Sequence, residues 1–547
     1  MMRRKRMKKN LISLAGVSLA LLLCGTACLK DKSTEASIPL ASIKLFADNT
    51  QTFPVGETVT FSPIIEWGKE SESNYTFRWV LNGHQDISTE KDLTYAFTTV
   101  GEQYLNLIVT DKRSGLTYNQ DYMVSITTPL FLGWMILSKG AGNATQLSFV
   151  HMDTHKLYPD VFASMHPGVT LGSGPIGLAN HAVYKVDEIL VMQENGGWLE
   201  LDGQNLDIVS SVEEEFVSGS YPEEPGGFTP ALVRYTHRGA EFVISKNGKV
   251  YDRVTGTATA AATPLQGYRY VSVPWFYKGY DDETKFTFAT QYSGQYYVPM
   301  FDDANKRWIP FGVTASTPRN IVGMKWSGAK PSASFDYIAG MDEDVNLVYA
   351  QTFNEANYKI QLFTLLEKGG TVYADRATWT LASGTGIVTL TTYAQKPFPA
   401  GYTITKDTPM WMMRGGGTAT GYDTDPFLFF AQGSKLFLYH FPTGLVKLVR
   451  DFSVGSTRCS GTIVSMHQGN AIGTAAQLGV LTSDGHFYVL SMMRATATSL
   501  YQGNIDPDDP DGNGLEVAHV SGIPGEPLQV IFKYGKAANW NSSTAAY

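Results

Sequence analysis

Leu478-Gly479-Val480-Leu481-Thr482-Ser483-Asp484-Gly485-His486-Phe487-Tyr488-Val489-Leu490 sets the reading of this 547-residue chain. Two apolar runs flank an Asp-Gly pair. Asp-Gly and Asn-Gly at such points signal a hairpin, because both central residues of the tight turn need positive φ. The same element occurs at Leu190-Val191-Met192, Asn195-Gly196 and Trp198-Leu199-Glu200-Leu201. It returns at Phe242-Val243-Ile244, Asn247-Gly248 and Val250-Tyr251, and looser copies surround Gly142, Gly294, Glu355 and Gly433. That makes about seven hairpins, unevenly spaced by roughly 50 to 80 residues.

A second hairpin often follows the first. Phe149-Val150-His151-Met152 turns at Asp153-Thr154 before Leu157-Tyr158. Tyr297-Val298-Pro299-Met300 turns at Asp302-Asp303 before Trp308-Ile309, and Tyr439-His440-Phe441 turns at Pro442-Thr443-Gly444 before Val446-Lys447-Leu448. Two hairpins make a four-stranded sheet, which is one propeller blade. The pattern predicts an all-β chain in which residues 129–547 form a β-propeller of seven blades. The uneven spacing leaves six or eight blades open, and a pair of packed β-sandwiches is the competing architecture.

Upstream of Pro129 the rhythm differs. Val59-Thr60-Phe61-Ser62, Tyr75-Thr76-Phe77-Arg78-Trp79-Val80-Leu81, Tyr104 to Asp111 and Tyr122 to Ile126 alternate with period two. Each such strand puts one side into a core, so residues 38–128 read as a β-sandwich. The motifs Val55-Gly56-Glu57-Thr58-Val59, Phe77-Arg78-Trp79 and Phe97-Thr98-Thr99-Val100-Gly101-Glu102-Gln103-Tyr104 resemble a PKD-type immunoglobulin-like domain. Leu81-Asn82-Gly83-His84 replaces the usual acidic Gly-Asp-Gly element, as in the divergent PKD-like type on Bacteroidota lipoproteins.

The N-terminus gives a location. Arg3, Arg4, Lys5, Arg6, Lys8 and Lys9 precede the apolar run Leu11 to Leu23, and Gly25, Thr26 and Ala27 lead to Cys28. This order reads as a lipoprotein signal peptide over residues 1–27, too short to be a membrane span. Cleavage would expose Cys28 for lipidation, and residues 28–37 would be a polar tether. By the resemblance, Lys30 and Asp31 fit a signal for display on the outer face of the outer membrane.

Composition narrows the function. The formal charge is −8, and it becomes −14 without the six basic residues of the signal peptide. Such a chain does not concentrate the positive charge that nucleic acid requires. Of three cysteines, Cys24 leaves with the signal, Cys28 takes lipid and Cys459 has no partner, so no internal disulfide is expected. Cys459 reads as a small buried residue. No His-Glu-x-x-His, Gly-x-Ser-x-Gly, phosphate loop or Cys-x-x-Cys occurs, and no catalytic residue is assigned. Acidic runs such as Glu213-Glu214-Glu215 and Asp342-Glu343-Asp344 read as solvated turns.

Two candidate sites remain. Asp509-x-Asp511-x-Asn513-Gly514 matches the first half of a calcium loop, where alternate oxygens face inward. Val520 stands where a bidentate Glu belongs, leaving Glu516 as a substitute with different geometry. Calcium is thus the one cofactor the sequence suggests. Trp275 and Trp411 lie in irregular segments beside loops, where an exposed ring stacks on a sugar or holds an apolar peptide side chain.

The PKD-like resemblance implies an accessory surface lipoprotein. It would bind a glycan or peptide, or dock on a TonB-dependent importer of the SusC/SusD type. A hydrolase of polysaccharide or peptide and a structural adhesin are the alternatives.

Overall fold

A computed structural model describes residues 44–46, 51–181, 187–215, 227–235, 241–255, 270–274, 286–289, 297–312, 323–356, 359–381, 387–413, 427–469, 477–492 and 515–533. The chain divides into two compact units. One comprises residues up to 51 with 59–95 and 103–124; the other comprises 52–58, 96–102 and 125–547.

The N-terminal region carries a five-stranded sheet in the order Gln51–Pro54, Thr117–Thr127, Gly101–Asp111, Tyr75–Leu81, Gln85–Ser88. Two strand pairs accompany it: Lys44–Phe46 with Ile64–Glu66, and Thr58–Phe61 with Leu93–Ala96. Alternation does what the sequence predicts. Leu105, Leu107 and Val109 are fully buried and Tyr104 is exposed. Trp79 is buried at the centre, against Phe61 and Tyr122. At the Asn82-Gly83 turn both residues have positive φ, 51° and 77°. Asn82 Oδ1 accepts from the Tyr104 N–H at 3.0 Å and ties the turn down.

Among its described residues the second unit holds seven sheets in chain order. Sheet two is Ser173–His181, Glu188–Asn195, Trp198–Asp202 and Ile208–Ser211; sheet three is Pro230–Tyr235, Glu241–Ser245, Val250–Thr255 and Tyr270–Pro274. Sheet four has Phe286–Ala289, Tyr297–Asp302 and Arg307–Gly312. Sheet five is Asn346–Ala356, Lys359–Lys368, Thr371–Leu381 and Ile387–Pro397, with Gly323–Trp326 added parallel at its edge. Sheet six is Met410–Met412, Phe427–Gln432, Lys435–His440 and Leu445–Asp451; sheet seven is Ile463–Gly469, Gln477–Thr482, Phe487–Ser491 and Glu516–Val520.

Sheet one is different. Its consecutive strands are Gly133–Lys139, Thr145–His151 and Leu157–Tyr158, and its fourth is Glu526–Lys533 from the far end of the unit. Trp134 stands opposite Phe532, and Met135 opposite Ile531.

Each sheet meets the next. Gln529 Oε1 of sheet one accepts from the Leu178 N–H of sheet two at 2.6 Å. Glu200 of sheet two meets Arg253 of sheet three. Pro230–Tyr235 of sheet three lies beside Phe286–Ala289 of sheet four. The Tyr297 hydroxyl of sheet four donates to Trp379 O of sheet five at 2.9 Å. Gln351 Nε2 of sheet five donates to Met412 O of sheet six at 2.9 Å. Trp411 of sheet six packs, tilted, against His467 of sheet seven.

The last contact returns to the first sheet. Ser465 Oγ and His467 Nδ1 of sheet seven accept from the N–H groups of Val530 and Phe532, at 3.1 and 3.2 Å. The Trp134 indole fills this junction. A Cβ on Gly469 or on Gly479 would stand 2.5 Å from its ring, so both positions need glycine for space.

The turns depart from expectation in detail. At Asn247-Gly248 and Asp484-Gly485 only the glycine has positive φ, 80° and 82°. Each N–H of these glycines donates back three residues, to Ser245 O and Thr482 O. Four-residue turns of this kind need one left-handed residue, not two. At the third site the turn falls on Gly196 and Gly197, with Asn195 still in its strand.

Candidate functional site

Polar chemistry in the second unit gathers between sheets. Arg253 is fully buried and faces two fully buried glutamates. Its Nη1 donates to Glu200 at 2.7 Å, while Nε and Nη2 form a two-pronged pair with Glu215 at 2.8 and 2.6 Å. Ser210 Oγ donates to the same Glu215 at 2.8 Å. A buried pair of this geometry satisfies the guanidinium fork. Glu215 belongs to the acidic run read above as a solvated turn, and its burial corrects that reading. The neighbouring helical turn Val212–Glu215 carries it inward. Lys533, at the end of the closing strand, is likewise buried and donates to Asp187 at 2.7 Å. Burial pulls its ammonium below the ordinary lysine range, with Asp187 opposing that shift.

A second cluster lies between sheets six and seven. Arg450 Nη2 meets Glu516 at 2.6 Å and Thr457 at 3.0 Å. Its Nε and Nη1 make no hydrogen bond, and the guanidinium lies over Phe452 and Tyr488, 5.1 and 5.7 Å from the ring centres. His486 Nδ1 and His519 Nε2 are 2.9 Å apart, and both imidazoles stack with Tyr488. Burial first, then His486, lowers the His519 pKa. Cys459 is buried and unpaired beside them, and burial pushes its thiol upward. A raised thiol is a poor nucleophile.

The third cluster is in sheet five. Asp375 is fully buried. One oxygen, Oδ2, accepts from Tyr393 Oη at 2.5 Å, Gln395 Nε2 at 3.2 Å and Tyr337 Oη at 3.4 Å. The other, Oδ1, has no partner. Burial pushes this carboxyl up to about 7, against the pull of those three donors. Trp326 and Tyr337 each pack edge-on against Tyr393, at 6.1 and 5.8 Å between ring centres, and are tilted against each other at 6.3 Å. Nothing in the sequence pointed to Asp375, because its partners lie 18 to 38 residues away, on another strand and a loop.

The predicted site residues fare unevenly. Trp411 is not an exposed platform. It lies in the strand Met410–Met412, is 6% exposed, and packs 4.1 Å from His467. Met410 and Met412 pair with Phe430 and Leu428, so the segment read as irregular is a regular edge of sheet six. Glu516 is not a free calcium ligand, because Arg450 and Thr457 hold its carboxylate. Asp509, Asp511, Asn513, Trp275 and Cys28 lie outside the described residues. Among the described residues no cluster of three or more His, Cys, Asp or Glu side chains forms a metal site.

The N-terminal sandwich offers a cleft of about 140 Å³, with Phe61, Trp79 and Tyr122 in its lining and Thr60 and Ser62 beside them. It is smaller than the roughly 300 Å³ at which ligand pockets begin. It suits one side chain.

Residues 28–175 match the PKD-like family, so a PKD-like domain is present. The match runs beyond residue 128, through the first three strands of sheet one. No curated protein matches the chain. A quinonprotein alcohol dehydrogenase-like protein from Bacteroides thetaiotaomicron is 13% identical, with a TM-score of 0.40, over 89% of this chain and 97% of that one. A protein from Lactobacillus plantarum is 12% identical, with a TM-score of 0.41, over 74% of this chain and 99% of that one. The periplasmic gluconolactonase of Pseudomonas aeruginosa is 12% identical, with a TM-score of 0.39, over the same shares. Likenesses this distant carry no argument about activity.

Proposed function

We propose that the chain is a surface recognition or adhesion protein. Its head is a seven-bladed β-propeller that follows the PKD-like domain, and lipid at Cys28 holds it to the outer membrane, facing outward. The pairing of Glu526–Lys533 with Gly133–Lys139 carries this reading, because it joins the far end of the unit to its beginning. A closed ring of sheets removes most exposed edges and presents broad loop-built faces. The ligand class is a glycan or a peptide.

Recognition is favoured over hydrolysis by where the ionisable groups point. Arg253, Lys533 and Arg450 face carboxylates inside sheet junctions, and Asp375 faces tyrosines. Each is engaged in packing. Docking on a SusC/SusD-type importer is the finer form of the proposal and rests on the PKD-type resemblance of residues 55–104.

The test uses the soluble Cys28→Ser protein on glycan and peptide arrays, followed by incubation with each ligand that binds. Saturable binding without product supports the proposal. Release of sugar ends or peptide fragments overturns it in favour of a hydrolase. For the anchor, the full chain should enter the detergent phase of a cloud-point separation and the Cys28→Ser chain the aqueous phase. Recovery of a barrel transporter and its lid protein with the native chain would establish docking.

A further inference from the structure

The strand Ile387–Pro397 changes face midway. Val388 and Leu390 are fully buried in the core shared by sheets four and five. Continued alternation would turn residues 392 and 394 inward. Instead Tyr393 packs on that core, while Thr392 and Ala394 are exposed. The switch happens at a bulge. Thr391 pairs with Thr378 and Tyr393 with Ala377, leaving Thr392 without an opposite residue. Thr392 has φ +51°, a conformation that a β-branched residue resists.

A strained bulge re-aims the side chains that follow it. Here it brings Tyr393 and Gln395 onto Asp375. Trp326, in the parallel edge strand, then packs edge-on against Tyr393 at 6.1 Å. Every hydrogen bond that Asp375 accepts comes from a neutral donor, and Oδ1 accepts none. An ionised carboxylate there is uncompensated, whereas a protonated one is tolerated.

We propose that Asp375 is a proton-held pin: with its carboxyl neutral it keeps the Thr392 bulge and the edge strand Gly323–Trp326 in place, and loss of the proton loosens both. The titratable groups around it are few. Tyr337 and Tyr393 face it and are raised by burial. Tyr297 is buried and raised in the facing sheet, and Tyr439 feels the charge from sheet six. Asp336, with Lys330 near it, holds the Trp326 indole N–H at 3.0 Å. None of these is a cation in contact with Asp375.

The sign follows from linkage. The folded carboxyl titrates at about 7, above its ordinary 3.8. The stabilisation is therefore complete below pH 3.8 and is lost as pH rises through 7. Hydrogen exchange of the full chain between pH 5.5 and 8.5, corrected for the intrinsic base dependence, reads the pin locally. Protection of segments 323–326 and 387–397 should fall about tenfold in the wild type and stay level in Asp375→Asn. Tyr393→Phe removes a donor that favours the charged form, so the fall should move to higher pH. This second variant serves if Asp375→Asn does not fold. Equal pH profiles in the wild type and Asp375→Asn, or an unmoved transition in Tyr393→Phe, would overturn the proposal.

Discussion

Arg253 and Asp375 are both fully buried between strands, yet they solve burial in opposite ways. Arg253 meets two carboxylates, and with Ser210 the cluster makes four hydrogen bonds at 2.6 to 2.8 Å. Asp375 has no cation and lies among tyrosines and a glutamine. The first arrangement sets opposite charges against each other inside the junction. The second makes protonation part of the packing. Depth alone does not decide a buried group's behaviour; the charge of its partners does.

The largest way to break this contrast is to remove the cation. Arg253→Met removes the guanidinium that faces the buried Glu200 and Glu215. It should cost about 3–5 kcal/mol in urea unfolding. Adding Glu200→Leu and Glu215→Met should return most of that loss, since a buried triad is replaceable by packed apolar residues. No return would mean that the guanidinium does more than neutralise its partners.

A smaller effect tests the junction that carries no charge. Gly479→Ala places a methyl against the Trp134 ring, where contact already leaves no space. Overpacking of this kind costs about 1–3 kcal/mol, read as a lower thermal midpoint. The same change at Gly433, where nothing lies within 4 Å, separates backbone strain at positive φ from crowding.

The smallest effect sharpens the comparison through pH. His519 titrates below 6.5 in the folded state, so unfolding takes up a proton as pH falls past 6.5. Its contribution is complete above that value and is lost on acidification, the reverse of Asp375. His519→Gln should flatten the acid side of a midpoint-against-pH curve and leave the alkaline side unchanged. A flattened alkaline side instead would place the titration elsewhere.

Much of the strand pattern was legible because hairpins are local. Asn82-Gly83, Gly433 and Asp484-Gly485 mark turns where the chain reverses, and period two gave the buried sides of Gly101–Asp111. What escaped depends on distant partners. Glu215 looks like a surface charge until Arg253 arrives from 38 residues away. Trp411 looks loop-bound because its pairing strand begins only at Phe427. Asp375 carries no local signal, since a bulge on another strand supplies its donors. The fourth strand of sheet one is the extreme case, separated from its neighbour by most of the unit.

That separation constrains how the protein is made. Residues Gly133–Lys139 emerge early but wait for Glu526–Lys533 before both flanks are hydrogen-bonded. Until then an apolar strand offers an open template to any passing chain. Fragments ending before residue 526 should therefore be sticky and short-lived, because only Glu526–Lys533 covers that flank of Gly133–Lys139.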